Sequence, residues 1–424
     1  MSPTVPPSDE IDNQAYYLEA TIDFDARTLD VVETLQWTNT AATPARHIDL
    51  SVIAVTSDSF ALTGPIEVDG SVAESAFAEH PTNLRVTFAP PIATGHTATI
   101  VIPFELRVAA RTQPPAGWNS EDTYLVAFDE MLQFAHWFPI WSTPRPYHEI
   151  GDPQVSFNAD WITLDLTSTR DLGVDAVAGT GVVQPGATGT RWQFQAENVR
   201  DFAFIVAPGY ELATSTIECD DVPIELRAYV TDRDAAAVLR YTAQAFERFN
   251  DWFGCYAYPT FTVAQAPGRK FSMEFPGLAL MSSSAIVTPE IVHHEIAHQW
   301  WYAVVGNDQT VEPWLDEAFA EYSSRLLSND PIDYCAQAGD VGGSVFDFDV
   351  WVPCAYYDAI YFKGAALLDD LRKELGNGEF FAALREIVET YRFGMASTPG
   401  VLAVFERHSS RPLDSLFERY GVSN

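Results

Sequence analysis

Between Thr97 and Val108 the chain reads TATIVIPFELRV. Ala98, Ile100, Ile102, Phe104, Leu106 and Val108 alternate there with residues including Thr99, Glu105 and Arg107. That is the two-residue period of a strand with one buried face. The stretch WITLDLT repeats it with Ile162, Leu164 and Leu166. Turn signals (PPAG, QPGATG, APG) separate such runs, so the first half is predicted to be all-β. After about residue 212 the period changes. In DRDAAAVLRYTAQAFERFNDWFG, Leu239, Phe246, Phe249 and Phe253 fall at helical spacing and Gly254 ends the run. GAALLDDLRKELGNGEFFAALREIVETY predicts two more helices, broken at Gly376–Gly378. The expected class is α+β: an all-β sheet domain over residues 1–212, then a mostly helical domain over 213–424. A chain of 424 residues is long enough for two cores.

Composition narrows the partners. The formal net charge is -35, and the only lysines are Lys270, Lys363 and Lys373. So acidic a chain is a poor match for nucleic acid or anionic membranes. Solubility, a saline habitat and attraction of cationic substrates all remain open as reasons for the charge. The first residues, MSPTVPPSDE, show no basic region followed by an apolar run, so no signal peptide is read there. An exported protein, secreted or in the cell envelope, would have lost its leader; a cytoplasmic one is the alternative. No apolar run is long enough to span a bilayer. The four cysteines have no C-x-x-C spacing, which argues against a cysteine zinc site. Cys335 with Cys354 is the favoured disulfide pair, with free buried thiols as the alternative for all four.

The chemistry concentrates in VHHEIAHQWWYAVVGNDQTVEPWLDEAFAEY, residues 292–322. His294, Glu295 and His298 form H-E-x-x-H. On a helix, i and i+4 stand nearly above one another, so both imidazoles can face one ion. Glu295 is offset around the helix and can reach a water in the ion's open position. Zinc needs a third protein ligand. Glu317 lies nineteen residues after His298, enough for a loop and a returning helix. Metal-bound imidazoles donate their second N–H to carboxylates or carbonyls. By position Glu321 serves His294 and Asp316 serves His298. His293 is read as a packing or rim histidine.

This segment resembles the zinc segment of the M1 family of metallopeptidases, which carries H-E-x-x-H, eighteen residues and then E. VRDFAFIVAPGY resembles the last strand of that family's N-terminal sheet domain. The run from Phe246 to Leu280 resembles the approach to its G-x-M-E-N loop, and YFKGAALLDDLRKELG its Y-x-K-G helix. The resemblance covers roughly residues 10–424. It implies a saddle-like β domain before a thermolysin-like catalytic domain, one Zn2+ per chain, and aminopeptidase activity on peptides. It further implies that Tyr361 hydrogen-bonds the oxyanion and that Glu274 grips the substrate's α-ammonium. Glu130, eight residues before Phe138–Pro139, matches a second ammonium-binding acid. Two departures stand out. The family loop begins with glycine and ends in asparagine, whereas this one reads Phe271, Ser272, Met273, Glu274, Phe275. Only 63 residues follow Tyr361, so the large helical C-terminal domain is expected to be missing. An endopeptidase with an open cleft, or a peptide-binding protein without catalysis, are the rival readings. A monomer is expected.

Overall fold

The computed structural model describes residues 14–78, 80–111, 124–141, 159–268, 272–348 and 352–422. The PPAG turn at 114–117 and Phe271 lie outside these residues.

In the first half, β1 (Gln14–Asp23), β2 (Thr28–Thr38) and β3 (Thr97–Arg107) lie side by side, antiparallel. Two short strands follow, β4 (Leu125–Phe128) and β5 (Met131–Phe134), then β6 (Ala159–Ser168), β7 (Arg191–Val199) and β8 (Phe204–Val206). β6 pairs parallel to β1, with Leu18 opposite Leu164, and β7 pairs antiparallel to β6. These five long strands form the centre of a nine-stranded sheet in the order β7-β6-β1-β2-β3. The alternation read from sequence is the alternation observed. Ile100, Ile102, Phe104, Leu106, Ile162, Leu164 and Leu166 are all buried in one core.

The second half opens with strands before its helices. β9 (Glu211–Cys219), β10 (Val222–Val230), β11 (Thr260–Ala266), β12 (Ser272–Phe275) and β13 (Leu278–Ser282) form a five-stranded sheet in the order β9-β10-β11-β13-β12. All seven residues of β11 are buried. Both of its faces are covered, so the polar Thr260, Thr262 and Gln265 are buried along with Phe261 and Val263. Helix α1 (Ala235–Phe253) starts at Asp234, whose carboxylate accepts from the Ala237 N–H at 3.1 Å, and buries Leu239, Phe246, Phe249 and Phe253. Then come α2 (Pro289–Ala297), α3 (Trp314–Ser328), α4 (Gly364–Leu375), α5 (Asn377–Thr390), α6 (Thr398–His408) and α7 (Asp414–Tyr420). The break between α4 and α5 is Gly376 alone, at φ 79°; Gly378 is already inside α5. Among the described residues no helix is long and apolar enough to cross a membrane.

Two packing features place the site. β4, β5 and β8 stand in a small sheet whose Met131, Ala135 and Ile205 share a cluster with Met273, Phe275, Leu278 and Leu280 of the five-stranded sheet. Met273 and Phe275 therefore face the first half, and Glu274 between them faces the opposite way. On the other side, α4 approaches α3 at Gly364. A Cβ there would lie 2.5 Å from the Ala318 Cβ, so any larger residue would push the two helices apart.

Both cysteine pairs are bonded: Cys335 with Cys354, and also Cys219 with Cys255. The unreduced protein, denatured, is expected to give no thiol with Ellman's reagent. Replacing Cys335 and Cys354 together by Ser should cost about 3 kcal/mol in denaturant unfolding, the loop-closure value for a crosslink of this span. A doubly substituted chain as stable as its parent would count against that value.

Candidate metal and catalytic site

α2 begins at Pro289 and carries His294 and Glu295 on its last turn, with His298 as its C-cap. Val292 and Ile296 hold the helix against the second core. α3 returns beside it and presents Asp316, Glu317 and Glu321. Three donor atoms converge there. His294 Nε2 stands 3.1 Å from His298 Nε2 and 3.2 Å from Glu317 Oε2; His298 Nε2 is 3.5 Å from the same oxygen. A tetrahedral zinc ion with ligands at about 2.0–2.1 Å requires ligand–ligand separations of about 3.3 Å. The triangle has that size, so the residues fit the ion.

The outer nitrogens are also engaged. His294 Nδ1 lies 3.3 Å from Glu321 Oε2, and His298 Nδ1 lies 2.5 Å from Asp316 Oδ1 and 3.1 Å from the Trp301 carbonyl. These are the two carboxylates expected from position. Acceptors at Nδ1 place the proton there and turn the Nε2 lone pairs inward. Glu295 is buried beside the triangle, and its Oε2 has no hydrogen-bond partner among the described residues. The Tyr361 hydroxyl donates to Glu317 Oε1 at 2.5 Å, and its ring lies parallel to that of His294. Tyr361 sits on a π-helical turn, Asp358–Lys363, which runs straight into α4 at Gly364. Glu274 is buried, with Oε1 3.9 Å from His298 Nδ1.

The chain is similar to proteins of known structure and activity. No family model matches the chain. Aminopeptidase N of Streptomyces lividans is 24% identical over 322 residues, covering 62% of this chain and 36% of that protein. The chain thus spans about a third of its length. The crystal structure of an M1 zinc metallopeptidase from Deinococcus radiodurans superposes with a TM-score of 0.75 at 17% identity, covering 97% of this chain and 94% of that one. A mutant of that metallopeptidase bound to the substrate Tyr-Ser-Ala superposes with a TM-score of 0.74 at 17% identity, again covering 97% and 94%. The chain has the M1 metallopeptidase fold.

The electrostatics of the site follow from burial and opposite charge in competition. Burial alone would lower the basicity of His294, but the Glu317 and Glu321 carboxylates reverse this and hold it up to about 9. His298 is likewise raised: burial works against its proton, and Glu274 and Asp316 overcome that. Burial would raise Glu317, yet hydrogen bonds from the two imidazoles hold it well below the usual carboxylate range. Burial raises Glu295, opposed by the charges of the two histidines and by a hydrogen bond from Ser272. Asp316 is raised by burial to about 6. Burial lifts the Tyr361 phenol well above its ordinary value, so it remains a neutral donor. His293 differs: burial lowers it to about 4, and its Nδ1 meets only the Ser328 hydroxyl at 3.4 Å, so it packs between α2 and α3 outside the triangle.

Glu130 belongs to the first half of the chain. It is exposed in the two-residue turn between β4 and β5, where Asp129 and Glu130 have φ of 52° and 59°. Among the described residues no hydrogen bond or ion pair joins it to Glu274. Other supporting residues escaped the reading of the sequence. Gln299 is fully buried; its amide donates to the Phe275 carbonyl at 3.1 Å and accepts from the Gly277 N–H at 2.8 Å, which ties the Glu274 hairpin to the end of α2. The Gln309 amide donates to Asp316. Their only signal was adjacency to the motif.

Protons and a metal compete for the same nitrogens. In the metal-free protein His294 keeps its proton up to about pH 9. Zinc affinity should therefore rise from pH 6 to 9, about tenfold per pH unit for each proton displaced, and level off above. Calorimetric titration in buffers of different ionisation enthalpy would report that proton release. A pH-independent affinity would contradict it.

Proposed function

We propose that the chain is a zinc-dependent aminopeptidase that removes N-terminal residues from peptides, with residues 1–212 and 213–424 as its two domains. The observation that supports this most is the set of side chains facing one point: three donors at zinc spacing, a buried carboxylate with a free oxygen, a neutral phenol, and Glu274 behind them. His294, His298 and Glu317 would hold one ion. When bound, zinc lowers the pKa of a water molecule and polarises the scissile carbonyl. Glu295 takes the proton of the attacking water and returns it to the leaving amine; its burial favours the protonated form and so the uptake. The Tyr361 O–H, which rests on Glu317, turns to the oxyanion as charge develops on the substrate. Glu274 accepts the substrate's α-ammonium, the natural guest for a buried carboxylate. Glu130, beside the Met131 that packs with Met273, is the second acid of this proposal. The two disulfides support an oxidising, secreted or cell-envelope location.

Ligand and base separate by mutation. Glu317→Ala should empty the site, as elemental analysis would show. Glu295→Ala should keep about one zinc per chain and lose about 10²–10⁴ in kcat. Loss of metal in Glu295→Ala would mean that ligand and base have been exchanged in this reading.

Substrate pairs separate exo- from endopeptidase. A free aminoacyl anilide should be cleaved at least tenfold faster, in kcat/KM, than its N-acetyl form, because a charge-assisted hydrogen bond is worth about 1.5–3 kcal/mol. Glu274→Ala should erase most of that difference. Equal cleavage of both forms would make the protein an endopeptidase; cleavage of neither, with zinc bound, would make it a peptide-binding protein.

A further inference from the structure

Arg200 lies in the sequence VRDF, just past β7, where the first half of the chain meets the second. Its side chain is 2% exposed. Among the described residues no carboxylate pairs with it. Instead the guanidinium reaches into the catalytic half. Nε donates to the Tyr302 carbonyl at 2.8 Å, Nη2 to the Gly394 carbonyl at 2.6 Å, and Nη1 contacts Met395 Sδ at 3.4 Å. A buried guanidinium with no carboxylate in contact, and only the charge of Asp316 acting on it from further off, is costly, so such a group is uncommon as mere filling. Space has been kept for it: a Cβ on Gly306 would collide with the guanidinium carbon and both terminal nitrogens.

The segment it holds is the exit of the metal helix. Tyr302 has φ 132°, a conformation that a residue with a side chain rarely adopts. The turn around it is closed by Ala303 N–H to the His298 carbonyl at 2.9 Å, Tyr302 N–H to the Val305 carbonyl at 3.0 Å, and Val305 N–H to the Trp300 carbonyl at 2.9 Å. The torsions φ and ψ of Tyr302 together relate two peptide planes, and the three hydrogen bonds of the turn hold both torsions. One carries the Tyr302 carbonyl that Arg200 grips; the other carries the Trp301 carbonyl that lies 3.1 Å from His298 Nδ1. Fixing the first therefore aims the second.

We propose that Arg200 is a positioning residue for His298: by gripping the Tyr302 carbonyl from across the domain seam, it sets the Trp301 carbonyl against Nδ1 and keeps Nε2 turned toward the metal position. Docking of the β domain and assembly of the metal site are then one event. This rests on the metal reading given above.

The test uses the full chain, with zinc affinity measured by competition with a chelating indicator and the visible spectrum of the cobalt-substituted protein. Arg200→Met should bind zinc about 10–100-fold more weakly, the usual effect of removing an outer support of a metal histidine, and should shift the cobalt bands. Arg200→Lys keeps the charge but offers a point donor in place of a fork, so it should recover only part of the loss. Gly306→Ala keeps the arginine but displaces its head, and should weaken zinc in the same direction; with Arg200→Lys it decides the question if Arg200→Met fails to fold. Folded variants that bind zinc within twofold of the parent, with an unchanged cobalt spectrum, would overturn the proposal and leave Arg200 as a packing residue. A parent protein that takes up no zinc would overturn the metal reading itself, and this inference with it.

Discussion

Everything at the site depends on two helices passing close enough for α2 and α3 to bring three donor atoms within 3.5 Å of one another. That separation is set far from the donors. Val292 and Ile296 seat α2, Ala318 and Phe319 seat α3, and Gly364 lets the Tyr361 segment close on α3 from the other side. Helices packed in place by these apolar residues cannot spread or slide without opening the triangle. The polar centre is thus maintained by apolar contacts around it.

The second constraint is charge. Glu274, Glu295, Asp316, Glu317 and Glu321 crowd around two imidazoles, and Arg325 reaches only Glu321 at the rim. In the metal-free protein this excess of negative charge is balanced by protons held on His294 and His298. A site so arranged invites cations, first at the Nε2 triangle and then beside Glu274.

How much of this was legible follows from the range of each interaction. The meeting of His294, His298 and Glu317 depends on a helical period and one short return, both local, so spacing was enough. The Asp316 and Glu321 contacts came from the same geometry. β3 and β6 announced themselves because one of their faces stays partly wet. β11 did not: it is seven residues long, and its Thr260, Thr262 and Gln265 are buried like the apolar residues between them, so no wet face marks it out. Tyr361 could be found only by resemblance: its π-helical turn has no periodic signature, and its partner is 44 residues away. Arg200 and Gln299 were invisible for another reason. Each bonds backbone carbonyls of distant segments, and a carbonyl has no side-chain identity to read. The Cys219–Cys255 bond joins β9 to the residue after α1's terminal glycine, a contact that only the folded sheet creates.

The supports of the cleft have one more consequence. His294 and Glu295 ride on a helix, His298 caps it, Glu317 and Glu321 ride on the next, Tyr361 on a helical turn and Glu274 on a strand. Among the described residues each of these groups is carried by regular structure or its cap and not by a free loop. The entropy of ordering the machinery is spent when the chain folds, before any guest arrives. A guest then meets side chains already held by regular structure.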